Sequence, residues 1–233
     1  MNNLPAIVRK ELEHQLSAKS SLAVGALLAI FFGFSYSQRA GTITAQTSFL
    51  SNGLVFYLSL SLTVFLSYSL TTQAFIREKT DRVIETLLCS PTNLRELWLG
   101  KVLAASIPVF VIVLLGIVTL LGSIAGQNGK LIMPGGPTIL YIFTGLPLLI
   151  LSALGIVSFV QFMLGMKENR IINLIIFLPI FILVFGVGFS YGGRMNLGWT
   201  TSFLILALVI VLFSISFYLT RFLSKERIVT SIT

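Results

Sequence analysis

Long apolar segments, separated by short polar ones, dominate the pattern of this chain. Six of them approach the roughly 20 residues that a helix needs to cross a bilayer core. Runs such as residues 102–122 are apolar on every side rather than alternating with a period of two, which favours helices over a transmembrane β-barrel. We therefore predict an all-α polytopic membrane protein in which residues 1–233 form one transmembrane domain, with spans at residues 20–37, 53–75, 102–124, 138–163, 171–189 and 199–219.

The N-terminal segment has a different pattern, typical of an amphipathic helix. Apolar residues recur on one stripe at helical spacing, and charged residues occupy the other faces. A helix of this kind lies in the plane of the membrane interface. We predict that residues 1–19 form an interfacial helix on the inner surface, with its apolar stripe at Leu4, Ile7, Val8, Leu12 and Leu16.

Three prolines predict kinks within the spans. Pro108, Pro147 and Pro179 lie inside predicted spans, where a missing backbone N–H favours a kink.

Tyr and Trp side chains near span ends are typical of an aromatic belt at the two membrane surfaces. This pattern predicts surface anchors at Trp199, Tyr141 and Tyr191 on the outer side and at Trp98 and Tyr218 on the inner side.

Composition and charge support the membrane assignment and give it an orientation. The chain is 55% hydrophobic and only 10% charged, with a mean hydropathy of +0.95. With the N-terminus inside, 13 of the 16 Lys and Arg residues and all eight acidic residues fall on the inner side. We expect both termini in the cytoplasm and the protein in the cytoplasmic membrane. The net charge of +8 then meets anionic lipid, so we expect lipid and not nucleic acid as a partner.

The residue types that would drive chemistry are missing from the spans. None carries an ionisable residue in its core, as a proton-coupled carrier or an intramembrane hydrolase would need. The chain has one His and one Cys, which leaves no multi-residue His/Cys metal site. Neither Gly-Lys pair, at Lys101 or at Lys130, has the other residues of an ATP-binding Walker A loop. We expect no catalytic residue, metal or cofactor in this chain.

The second predicted span is the most polar, with hydroxyl groups spread along it. Such hydroxyls hold helices together at about 0.6 kcal/mol each. They could also line a path for a transported molecule, and both interpretations stay open. Candidate path residues are Tyr57, Ser61, Tyr68 and Thr72 on one helical face, with Gln161 and Asn173 on later spans.

The inner segment at residues 76–101 gathers charges in a chain that has few of them. Its middle has the spacing of a short amphipathic helix that Pro91 ends, and Asn93 with Glu96 has the spacing of a capping box for the next helix. Apolar residues on so short a cytoplasmic helix are expected to be covered by a partner or by lipid. The segment is therefore predicted to form two helices, separated by a short non-helical break at Pro91.

At this segment the chain resembles the ABC-2 type transporter permease family. The matching residues are Arg77-Glu78-Lys79-Thr80, Glu85, Leu87-Leu88, Ser90-Pro91, Glu96-Leu97 and Leu99-Gly100-Lys101. The number of spans, the N-terminal helix and the inside termini extend the resemblance over essentially the whole chain.

The resemblance implies a permease subunit of an ABC exporter. In that family two permease chains, identical or different, pair in the membrane, and separate subunits that bind ATP and Mg²⁺ dock on the cytoplasmic side. The loop helix then acts as a coupling helix. The residues implied to contact the ATPase are Glu78, Asp81, Glu85, Leu87, Leu88, Ser90 and Pro91.

Two alternatives remain beside this expectation. One, within the family, is a permease similar to the haem exporters of cytochrome maturation. The other is a self-sufficient channel or a sodium-coupled carrier, which would transport without an ATPase. Dependence of flux on a partner ATPase distinguishes the second from the first.

Overall fold

The computed structural model describes residues 4–17, 19–41, 47–80, 94–128, 134–163 and 198–222, and the five positions 179, 182, 184, 186 and 187. No strand occurs among these residues, so the described chain is helical, as predicted. The helices are α1 (Leu4–Ser17), α2 (Lys19–Gly41), α3 (Thr47–Thr80), α4 (Leu94–Asn128), α5 (Gly136–Leu140), α6 (Leu146–Met163) and α7 (Trp199–Leu219). A π-helical turn, Tyr141–Gly145, joins α5 to α6, and a 3₁₀ turn, Thr220–Phe222, follows α7.

Five helical segments of the described chain are long and apolar enough to cross a bilayer. They are Lys19–Gln38, Asn52–Thr72, Arg95–Gln127, Gly136–Gln161 and Trp199–Leu219. These segments coincide with five of the six predicted spans and are typical of a membrane-embedded protein. The other predicted span, residues 171–189, lies outside the described residues except for five positions, all of them helical.

Two helices run beyond the spans predicted for them. α3 continues to Thr80 and α4 begins at Leu94, so both ends of the predicted loop at residues 76–101 are helical. The apolar run marks only the part of a helix that lies in hydrocarbon. Polar residues can extend the same helix into water, because its backbone hydrogen bonds are made internally.

The centre of the described chain is formed by α3 and α4. α4 packs against α1, α2, α3 and α6, and α3 packs against α2, α4, α5 and α6. The apolar segment of α3 is the most buried of the five, and that of α7, which packs mainly on α6, is the least. Leucines at every fourth position of α3 enter the core, namely Leu54, Leu58, Leu62, Leu66 and Leu70.

Small residues let α2 and α4 approach each other closely. Gly25, Ala29 and Gly33 recur every fourth residue on α2 and face α4 at Ile112 and Gly116. A Cβ atom placed on Gly33 would lie 2.8 Å from the carbonyl oxygen of Gly116. Glycine at this position therefore permits backbone contact, the packing mode that membrane helices use in place of a hydrophobic driving force.

α7 joins the bundle through a narrow seam. The buried residues of the helix are Ser202, Val209 and Ser216, which are spaced by seven. Opposite them on α6, a Cβ atom on Gly155 would collide with the Oγ atom of Ser216. A seven-residue spacing of small side chains is the pattern of two helices packed side by side.

The π turn gives the expected irregularity at Pro147 a specific form. The N–H of Leu146 bonds to the carbonyl of Tyr141, five residues earlier, directly before the proline. Pro147 has no N–H to continue the α-helical ladder, and single π turns are a common way to absorb such a break. The turn also places Tyr141 inside the bundle.

Candidate functional site

Side-chain hydrogen bonds tie α3 to its neighbours at several depths. Near its N-terminal end, Oδ1 of Asn52 accepts a bond from the N–H of Gly135, at 3.3 Å. About two turns further on, the hydroxyls of Ser59 and Tyr141 lie 2.9 Å apart. Ser59 Oγ also donates to the carbonyl of Phe56, so the Tyr141 hydroxyl is the donor between the two side chains. α3 is therefore held to the α5 side of the bundle by polar contacts.

Two further groups of contacts involve the predicted path residues. The hydroxyl of Tyr36 on α2 bonds to Ser61, beside Tyr57. Toward the other end of α3, the side-chain amide of Gln161 on α6 donates to Oγ1 of Thr72, which also bonds to Tyr68. Hydroxyl and amide groups of three helices thus meet in pairs along α3.

The structure therefore brings five of the six predicted path residues together in two groups. Tyr57 and Ser61 are buried near α2, whereas Tyr68 and Thr72 are half-buried near Gln161. Asn173 lies outside the described residues. Ser61 and Thr72 form hydrogen bonds to side chains of neighbouring helices, as hydroxyls that stabilise helix packing do. A role of these residues in lining a transport path stays a prediction.

Most of the predicted docking residues also lie outside the described part of the chain. Glu78 is in the last turn of α3. Asp81, Glu85, Leu87, Leu88, Ser90 and Pro91 belong to residues 81–93, which connect the described ends of α3 and α4.

A buried ion pair anchors α1 on the first turns of α4. Nζ of Lys101 lies 3.1 Å from Oε1 of Glu11, and the two side chains are only 5% and 16% exposed. One residue earlier, a Cβ atom on Gly100 would lie 2.6 Å from Cγ2 of Ile7. The predicted interfacial helix thus packs one of its faces on protein.

Sequence reasoning missed this ion pair. Glu11 and Lys101 were both assigned to the inner side by the charge pattern, but nothing in their spacing pairs residues so far apart in the chain. Gly100 and Ile7 carry a weak signal, since a glycine in a helix interior costs stability and is kept where another backbone or side chain comes close.

The aromatic-belt prediction was wrong for two of its members. Tyr141 is 1% exposed and Trp98 is 2% exposed, so neither side chain can lie among lipid headgroups. Tyr141 is buried against Phe56 and Ser59 by the π turn, and Trp98 packs near Gly155 on α6. Trp199 and Tyr218 are more than half exposed, as membrane-surface anchors need to be.

Comparison with protein-family models, with curated proteins and with solved structures finds no match to this chain. The arrangement of its helices and polar contacts is therefore the basis for a proposal about its function.

Proposed function

We propose that this chain is the permease subunit of an ABC exporter, powered by ATP that a separate subunit hydrolyses on the cytoplasmic side. The observation that carries the proposal is the length of α3 and α4. α3 has 34 residues but an apolar segment of 21, and it continues as a helix through the charged sequence up to Thr80. Any force on residues 81–93 would then act directly on two membrane helices.

The resemblance of residues 77–101 to the ABC-2 permeases gives that force a source. A docked ATPase that closes on ATP would move the loop, and α3 and α4 would follow as rigid elements. Contacts of α4 with α1, α2, α3 and α6 would spread the movement through the bundle. The described spans carry no ionisable residue near their centres, so they lack the usual group for coupling transport to protons.

The test is whether an ATPase depends on the loop for binding. We would co-express the tagged chain with candidate ATP-binding subunits from the same genome, purify it in mild detergent, and measure the co-purified protein and its ATPase rate. Wild type is compared with Glu85→Arg/Leu88→Asp in the loop. The expected result is an ATPase that comes with the wild type and is lost with the variant.

The chain offers a chemically matched control. Glu13→Arg/Leu16→Asp makes the same two changes on α1, where both side chains are exposed. This variant should retain the ATPase. If the chain purifies alone, or if both variants behave alike, the permease proposal fails, and flux into liposomes without ATP would then test the channel or carrier alternative.

A further inference from the structure

A second row of hydroxyl groups runs along α3 on a different side from the predicted path residues. Thr63, Ser67 and Thr71 are spaced by four, so they stack on one side of the helix. At 100° per residue this side is about 110° away from the side of Tyr57, Ser61, Tyr68 and Thr72. The exposures of the three side chains are 0%, 0% and 4%.

These three hydroxyls have no hydrogen-bond partner among the described residues, and neither do the buried hydroxyls of Thr138 and Ser216, which stand apart from the row. Serine and threonine in helices usually donate to a carbonyl three or four residues earlier. Ser59, Ser61 and Thr119 do so here, at 2.8 to 3.0 Å. A buried polar group without a protein partner commonly bonds to ordered water.

The spacing of the row suits water closely. Side chains four residues apart on a helix are separated by about 6 Å along its axis. One water molecule that bonds to two hydroxyls at about 2.8 Å each spans nearly the same distance. A water molecule is also both donor and acceptor, which matches a hydroxyl that can act in either way.

A cation fits the row less well. Metal cations such as Ca²⁺ and Mg²⁺ need about six or more oxygen ligands at short distances. Three hydroxyls on one regular helix supply only three, and the backbone carbonyls of α3 are engaged in its own hydrogen bonds. Neutral hydrogen-bonding molecules are the class that the row can hold.

We propose that Thr63, Ser67 and Thr71 hold a file of water molecules inside the bundle, one bridging each pair of neighbouring hydroxyls. The file covers about 12 Å of the length of α3, which is a large part of a hydrocarbon core about 30 Å thick. It is a binding site for water within the apolar segment Asn52–Thr72. It does not require that an ATPase docks on the chain.

Radiolytic labelling tests for this water directly. Hydroxyl radicals that an X-ray pulse forms from a bound water molecule oxidise the side chains beside it, and a thiol is highly reactive. The native Cys89 is replaced by serine, Ser67→Cys is introduced, and the chain is labelled in lipid nanodiscs and analysed by mass spectrometry. The thiol at position 67 should be oxidised several-fold faster than a thiol at a dry buried position.

Ser59→Cys is the matched control. It makes the same substitution on the same helix at a position that is equally buried, but where Tyr141 and a backbone carbonyl already occupy the hydroxyl. Faster oxidation at position 67 than at position 59 supports the water file. Equal oxidation at the two positions overturns it.

A stability measurement covers the case in which Ser67→Cys does not fold. Thr63→Val/Thr71→Val keeps the shape of both side chains and removes both hydroxyls. If water bonds to these hydroxyls, the melting temperature of the variant falls, because the water loses its protein partners. If the hydroxyls are dry and unpartnered, their removal raises the melting temperature, and the water file is wrong.

Discussion

The ammonium group of Lys101 lies 3.1 Å from the carboxylate of Glu11, 90 residues earlier in the chain, and this pair fastens α1 to α4. Because both side chains are largely buried, removing one partner leaves a charge with little access to water. Breaking such a pair typically costs about 3 kcal/mol or more.

We expect Glu11→Gln to destabilise the protein more than Lys101→Met does. The first change removes the carboxylate charge beside the more deeply buried group, the Lys101 ammonium, whereas the second leaves a carboxylate that is partly exposed. Thermal unfolding in detergent measures the difference. Glu13→Gln is the control, since its pair with Arg9 is exposed and should contribute less than about 0.5 kcal/mol.

The bond between Tyr141 and Ser59 should be measurable in a double-mutant cycle. Tyr141→Phe removes the donor and Ser59→Ala removes the acceptor, while the double variant removes both. We expect a coupling energy of about 0.6 kcal/mol, the average for polar contacts between membrane helices. A coupling energy of zero would contradict the bond.

Alanine substitutions at two glycines distinguish the effect of close helix packing from the effect of helix propensity. Gly33→Ala places a methyl group against the backbone of α4 at Gly116, which cannot move aside as a side chain can. We expect a loss of about 1 to 3 kcal/mol in the free energy of unfolding. Gly122→Ala meets no atom within 4 Å, so it should be neutral or stabilise by up to about 1 kcal/mol. Equal effects at the two sites would mean that α2 and α4 do not pack closely.

A substitution at Gly155 should be destabilising, and a second substitution at Ser216 should partly restore stability. Gly155→Ala collides with the hydroxyl of Ser216 and comes within 3.0 Å of Trp98, so it should loosen α7 from α6 and lower the melting temperature. Ser216→Ala removes the hydroxyl oxygen, and the double variant should regain part of the loss. No recovery in the double variant would show that the contact with Ser216 does not limit the packing of α7.

The sequence was sufficient for the helical class and for the positions of five long apolar helices, because a long apolar segment is recognisable without any knowledge of its neighbours. It was less informative wherever a partner helix decides the outcome. The face of α1 that meets α4, the inward position of Tyr141 and the pairing of Gln161 with Thr72 all depend on contacts between distant parts of the chain.

The hydroxyls of α3 illustrate the same limit. Their number and spacing are visible in the sequence, but which of them are already satisfied by a neighbour is not. Ser61 and Thr72 looked available for a path and prove to bond with other helices, whereas the row from Thr63 to Thr71 has no such partners among the described residues.

The length of α3 has a mechanical consequence. At 1.5 Å per residue the helix is about 50 Å long, and the bonds of Asn52, Ser59 and Thr72 attach it to its neighbours at widely separated points. A rod fixed in this way cannot tilt alone. A push on its C-terminal end, at Thr80, must either break these bonds in succession or turn α3, α5 and α6 as one body, and the strength of the bonds decides between these two motions.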